Sequence, residues 1–182
     1  MADASLIPIA NDPVAILFHP SAVPVVDVFR SIGSLEDQYD LALLDGPEHL
    51  LSAYVDATAA KGIVSDVLLL AFALTRQRGR TFSHRPLRSR LGSLDEYCLM
   101  AMIGSSRQGT LEVAREASAI LGVSPLDLLP ALAGELARQM DLGAIVFPVP
   151  TLSQFRAMVG IEGAQLEAIV EASSKPGRHF SF

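Results

Sequence analysis

Only one of the 182 residues is cysteine, Cys98, and only 19% are charged. An ordinary soluble domain carries about 25% charge. A single cysteine excludes a scaffold built from disulfides. It also fits a reducing compartment. Residues 1–11 lack the basic and long apolar regions of a signal peptide, so the expected location is the cytoplasm. Half of the residues are apolar, and with so little charge this excludes intrinsic disorder. An unbroken hydrophobic run is also missing. The longest strongly apolar stretch, Ile63 to Leu74, is interrupted by Ser65 and Asp66. It falls short of the ~18–20 residues that cross a bilayer, and no membrane span is expected. The length suits a single domain over 1–182 that buries roughly 70% of its unfolded surface, needing neither metal nor disulfide to fold.

The net charge of −6 is unevenly laid out. Residues 1–75 hold ten acidic and two basic side chains, and residues 91–182 hold ten acidic and six basic. Between them Arg76, Arg78, Arg80, Arg85, Arg88 and Arg90 occur with no acid. The strong positive potential is confined to that stretch.

The dominant hydrophobic period is helical. Segments Val25–Ile32, Leu35–Leu44, Glu48–Lys61 and Val67–Gln77 read as helices, with Gly33, Asp45-Gly46-Pro47 and Gly62 as breaks. Val67–Gln77 is apolar on nearly all sides and reads as central. Gly79–Gly92 has no apolar period and reads as an exposed loop. Ser93 opens a helix to Ile103, followed by a turn over Gly104–Gly109. Thr110 caps Leu111–Leu121, which Gly122 stops. Further helices are expected from Ser124 to Met140 with Pro130 inside, from Gln154 to Val159, and from Ala164 to Ala172, before a loose tail. Ala15–Phe18 and Ala144–Phe147 are too short for helices and are candidates for one minor two-stranded pair. The expected fold is therefore all-α, a compact bundle of about seven or eight helices with at most that small β element. Echoes such as Ser34-Leu35-Glu36-Asp37 with Ser93-Leu94-Asp95-Glu96 suggest two pseudo-repeated units, 21–78 and 93–172, joined by the Arg-rich loop 79–92.

Candidate chemistry is sparse. Ala114–Ala133 has the small residue, turn glycine and apolar positions of a helix-turn-helix. Its reading positions would be Ser124, Pro125, Leu126, Leu129, Pro130 and Ala133, of which only Ser124 offers a hydrogen-bonding side chain, so nucleic acid is an improbable partner. Gly104–Thr110 has the glycine spacing of a phosphate loop but neither its lysine nor a preceding strand. His19, His49, His84 and His179 are scattered, with no metal-ligand spacing, so no metal and no cofactor is expected. Cys98 in an apolar run reads as a buried, inert thiol. The pairs Asp37/Asp40, Asp95/Glu96 and Glu112/Glu116 fit helix capping and dipole roles. No catalytic residues are assigned.

The best candidate site is the guanidinium series Arg76, Arg78, Arg80, Arg85, Arg88 and Arg90 with His84, which could gather around an anion or an acidic partner. The plainer reading lays this loop over the chain's own acids, such as Asp37, Asp40 and Asp45. The expected function is non-enzymatic: an interaction or adaptor protein that buries apolar helical surface in a homo-oligomer or with a protein partner. The alternative is a regulatory module that binds an anion or nucleic acid through Arg76–Arg90.

Overall fold

The computed structural model describes residues 16–38, 41–108, 111–124 and 128–160. Seven α-helices and one small antiparallel ribbon occur among them, as the hydrophobic period predicts. The ribbon pairs β1 (Ile16–Leu17) with β2 (Leu91–Gly92), in the register Ile16 to Gly92 and Leu17 to Leu91. Ala144–Phe147 is not the partner of β1. It still comes close, because the Phe18 and Phe147 rings lie 6.2 Å apart and the Val146 N–H donates to Ser21 Oγ at 3.0 Å. Side-chain contacts join these two segments where a backbone ladder was expected.

After a 3-10 turn at Pro20–Ala22, α1 runs over Val23–Gln38, straight through Gly33. A second 3-10 turn at Leu41–Leu44 leads into α2 (Asp45–Leu51). The next helix, α3, is a single unit over Ala57–Gln77. Its N-cap is Asp56, whose carboxylate accepts from the Thr58 and Ala59 N–H groups. The break expected at Gly62 thus lies at Ser52–Asp56 instead. A glycine inside a helix costs only about 1 kcal/mol. Ile63, Val64 and Val67 directly after it are buried and carry the helix onward.

The helix α4 (Leu94–Gln108) is the centre of the molecule: every residue from Tyr97 to Ile103 is buried. It continues through Gly104, where a turn was expected. A Cβ at that position would lie 2.9 Å from Val149 Cγ2, so the missing side chain admits the 144–150 segment against the helix. On α4 pack α5 (Leu111–Leu121) and α6 (Leu129–Leu142), and α6 also packs on α3. Gly122 ends α5 with φ +73°, and the Val123 N–H reaches back to the Ser118 carbonyl at 2.9 Å. Pro130 falls in the first turn of α6, where a missing N–H is harmless. A short α7 (Leu152–Met158) follows, capped reciprocally by Thr151 and Gln154, and Phe155 stacks on Tyr97 at 5.7 Å.

One buried cluster runs through all of these helices, including α3 against α6 across the expected halves. The sequence echoes fall on unlike positions: Ser34 lies inside α1 whereas Ser93 precedes α4, and Leu68 lies inside α3 whereas Leu128 precedes α6. They lend no support to a duplication. The expected helix Ala164–Ala172, Thr110 as a cap, and part of the helical corner lie outside the described residues.

Candidate functional site

The Arg-rich segment starts at the end of α3 and returns to α4, and buried charge holds it in place. Arg30 on α1 is the hub. It sits with Asp27 inside a mostly apolar helical run, and its side chain is almost wholly buried. Its Nε and Nη2 donate to the two Glu96 oxygens at 2.7 and 3.0 Å, and Nη1 donates to Asp27 Oδ1 at 2.9 Å. The remaining N–H groups take the loop backbone: Nη1 to the Ser89 carbonyl at 2.8 Å and Nη2 to the Leu91 carbonyl at 3.1 Å. Burial alone lowers an arginine's proton affinity, and the bonds to Glu96 and Asp27 together reverse that here. Asp27 is raised above its ordinary value, first by burial, against the bonds from Arg88 and Arg30 that lower it.

Glu96 has two tasks. It accepts from the Ser93 N–H at 2.8 Å while the Ser93 hydroxyl accepts from the Glu96 N–H at 3.1 Å, a reciprocal cap on α4. It also accepts from the Arg85 N–H at 3.1 Å. Asp95 beside it is buried and takes Arg78 at 2.8 Å, Arg80 at 3.0 Å and the Ser83 N–H at 2.8 Å. The Arg78 guanidinium also lies over the Phe82 ring at 4.9 Å.

The loop therefore does lie on the chain's own carboxylates, but these are Asp27, Asp95 and Glu96. Of the acids expected there, Asp45 is on α2, and Asp40 and the Asp37 side chain lie outside the described residues. The seven candidate residues are divided. Arg78 and Arg80 are engaged with Asp95. Arg76 is exposed on the last turn of α3, His84 is exposed with Nδ1 3.4 Å from the Arg85 carbonyl, and Arg85 is half-buried. Arg88 and Arg90 come together beside α1 and α2. With Val23, Pro24, Leu50 and Tyr54 they line a hollow of about 380 Å³. Neither guanidinium pairs with a carboxylate among the described residues.

Arg30 and Asp27 were not foreseen. Their signal is an Asp-x-x-Arg pair inside Val25–Ile32, a spacing that places both on one helix face. Apolar residues surround this pair on both sides in the sequence, and where such a pair is buried its charges must be bonded to each other and to further partners.

Other candidates resolve simply. Cys98 is buried and its thiol is pushed up to about 12, chiefly by burial and then by Asp95. Leu129 and Ala133, two of the nominal base-reading positions, are buried in the core and cannot reach a groove. Gly104–Gln108 is the last turn of α4, not a phosphate loop. A second hollow, about 500 Å³, is lined by Phe18, Tyr97, Phe147, Pro150 and Met158 among others, with no Asp, Glu, Lys or Arg.

The face of α3 is the other notable feature. The inner side is core, with Ile63, Val67, Leu70 and Leu74 buried. The outer side presents Leu69 at 55% and Phe72 at 56% exposure, nearly one turn apart. The helix expected to be buried on all sides is thus open on one. By length and composition alone it is apolar enough to cross a membrane. Comparison with protein-family models, curated proteins and solved structures finds no match to this chain.

Proposed function

We propose that this chain is a non-enzymatic interaction or adaptor protein that buries the outer face of α3 in an oligomer or a larger assembly. The observation that carries the reading is Leu69 with Phe72, two large apolar side chains more than half exposed on the back of a core helix. Contiguous exposed apolar surface of this kind marks contact sites. Four of the groups that could do chemistry are otherwise engaged, which supports a non-catalytic role. Asp27, Asp95 and Glu96 are tied to arginines, and the Cys98 thiol is sealed. The reading places the chain in the cytoplasm, on the strength of its single cysteine.

Light scattering on the purified full chain at micromolar concentration tests it. The expected result is a mass at a multiple of 19.4 kDa or a stoichiometric complex with a protein partner. Leu69→Asp with Phe72→Asp should reduce either to a monomer of unchanged helicity. A partner-free monomer at every concentration overturns the reading. So does assembly unaffected by the two substitutions, or flotation with lipid vesicles that depends on them.

A second reading, a regulatory module that binds an anion through the Arg-rich segment, now rests on Arg88 and Arg90. Arg78 and Arg80 are engaged with Asp95.

A further inference from the structure

The hollow beneath Arg88 and Arg90 has the ingredients of a small-molecule site. Its floor and walls are apolar: Val23 and Pro24 from α1, Leu50 from α2, and the Tyr54 ring just beyond α2. Its volume, about 380 Å³, lies within the ~300–1,000 Å³ span of ligand pockets. Its rim carries two permanent positive charges.

The presentation of those charges is built into the fold. Arg88 has φ +63°, a left-handed conformation sparsely used by residues other than glycine. Such a backbone persists only where its surroundings hold it. Here both Asp27 oxygens accept from the Arg88 N–H, at 3.0 and 3.1 Å, and Asp27 is itself held by Arg30. On the far side of Ser89, Arg90 is steadied by its Nε, which donates to the Phe18 carbonyl at 3.2 Å. Its two terminal nitrogens make no bond among the described residues. The Phe18 N–H in turn donates to the Arg90 carbonyl at 2.8 Å, so hydrogen bonds fix the backbone of both residues where they line the hollow.

We propose that this hollow binds a small amphipathic anion: a carboxylate or phosphate monoester carried on a one- or two-ring apolar group. The acid head would be taken by the paired N–H donors of Arg88 and Arg90, whose planar geometry matches both oxyanions. The ring would lie on Pro24, Leu50 and Tyr54. The site lies apart from the outer face of α3 and does not depend on an interface there.

Isothermal titration of the full chain at low salt, with 2-naphthoate and 1-naphthyl phosphate as separate probes, tests the proposal. Saturable binding of at least one is expected, and the tighter probe identifies the head group. The uncharged 2-naphthamide should bind about ten-fold more weakly or worse, and added salt should weaken the anions. Arg88→Ala keeps the backbone N–H that Asp27 holds and should lower affinity about ten-fold. Arg76→Ala, in the same Arg-rich segment but outside the hollow, should leave affinity unchanged. Ala53→Trp, on the exposed lip, should block both probes while the melting temperature stays within a few degrees. Any of four results overturns the proposal: no saturable binding up to about 1 mM, equal affinity for the amide, equal affinity for inorganic phosphate, or an Arg88→Ala variant that binds like the parent.

Discussion

Arg30 Nε and Glu96 Oε1 meet at 2.7 Å across 66 residues of sequence, and both side chains are essentially inaccessible to water. With Asp27 they form a buried triad of two acids and one base. Through it α1, α4 and the loop between Arg78 and Gly92 form one unit. Taking these charges out of water is costly, and only full hydrogen bonding offsets that cost.

Removing the hub should therefore be severe. Arg30→Ala leaves two uncompensated buried carboxylates and should lower stability by about 3–5 kcal/mol. Urea unfolding followed by circular dichroism measures this. Hydrogen exchange in residues 83–92 should rise at the same time, because the Ser89 and Leu91 carbonyls lose their donor. A loss under about 1 kcal/mol would show that the triad does not hold the loop.

Asp27 sets a pH dependence with a definite sign. Burial raises its carboxyl above the ordinary value of 3.8. Above pH 3.8 the folded chain therefore holds this proton more firmly than the unfolded chain does. Its contribution to stability is fully present below pH 3.8, declines as pH rises through the raised folded value, and is flat beyond it. Subtracting the stability profile of Asp27→Asn from that of the parent should isolate this decline. A difference that grows with pH over the acid range would contradict it.

The two sides of α3 should respond very differently to truncation. Leu70→Ala opens a cavity in the core and should cost about 2–5 kcal/mol. Leu69→Ala, one residue away on the open side, should stay within about 0.5 kcal/mol in the isolated chain. Denaturant midpoints compared at equal slope decide this.

The end of α6 holds an improvable residue. Ala144 has φ +50°, and the Ile145 N–H returns to the Met140 carbonyl at 2.9 Å. This is the place glycine usually fills. Gly143 cannot exchange roles with it, because a Cβ there would run into Val55 Cγ1. Ala144→Gly should stabilise the fold by about 1 kcal/mol, whereas Gly143→Ala should destabilise it by roughly 1–3 kcal/mol. Thermal melts of the two variants should move in opposite directions.

Cys98 should resist alkylation. With its thiol pushed up to about 12 and no exposed surface, iodoacetamide at pH 8 should leave it unmodified in the native state. It should react only through opening of the fold, which mass spectrometry follows directly.

Much of this fold is legible in local patterns. Ser93-Leu94-Asp95-Glu96 announces a reciprocal helix cap, and the contacts of Ser93 with Glu96 form it. Cys98 within Tyr97–Ile103 reads as core, and it is. Gly33, Gly62 and Gly104 mislead, because a glycine's intrinsic penalty is small beside the packing of the turns around it. The partner of β1 is equally hidden. Ala144–Phe147 has the same apolar pattern as Ala15–Phe18, yet Leu91–Gly92 takes the ladder. Of the candidate site, the arginines were visible and their division was not.

By itself the sequence determines an all-helical chain with an apolar excess and one concentrated run of arginines, because helical period, capping residues and charge layout are local properties. The tertiary structure decides which carboxylates those arginines meet. It also decides that α3 keeps one apolar side open, and that Arg88 and Arg90 stand over an apolar hollow. These outcomes depend on the approach of α1, α2 and α4, which lie far apart in sequence. The energy of a buried charge depends on what surrounds it in space, and residue spacing along the chain does not encode that.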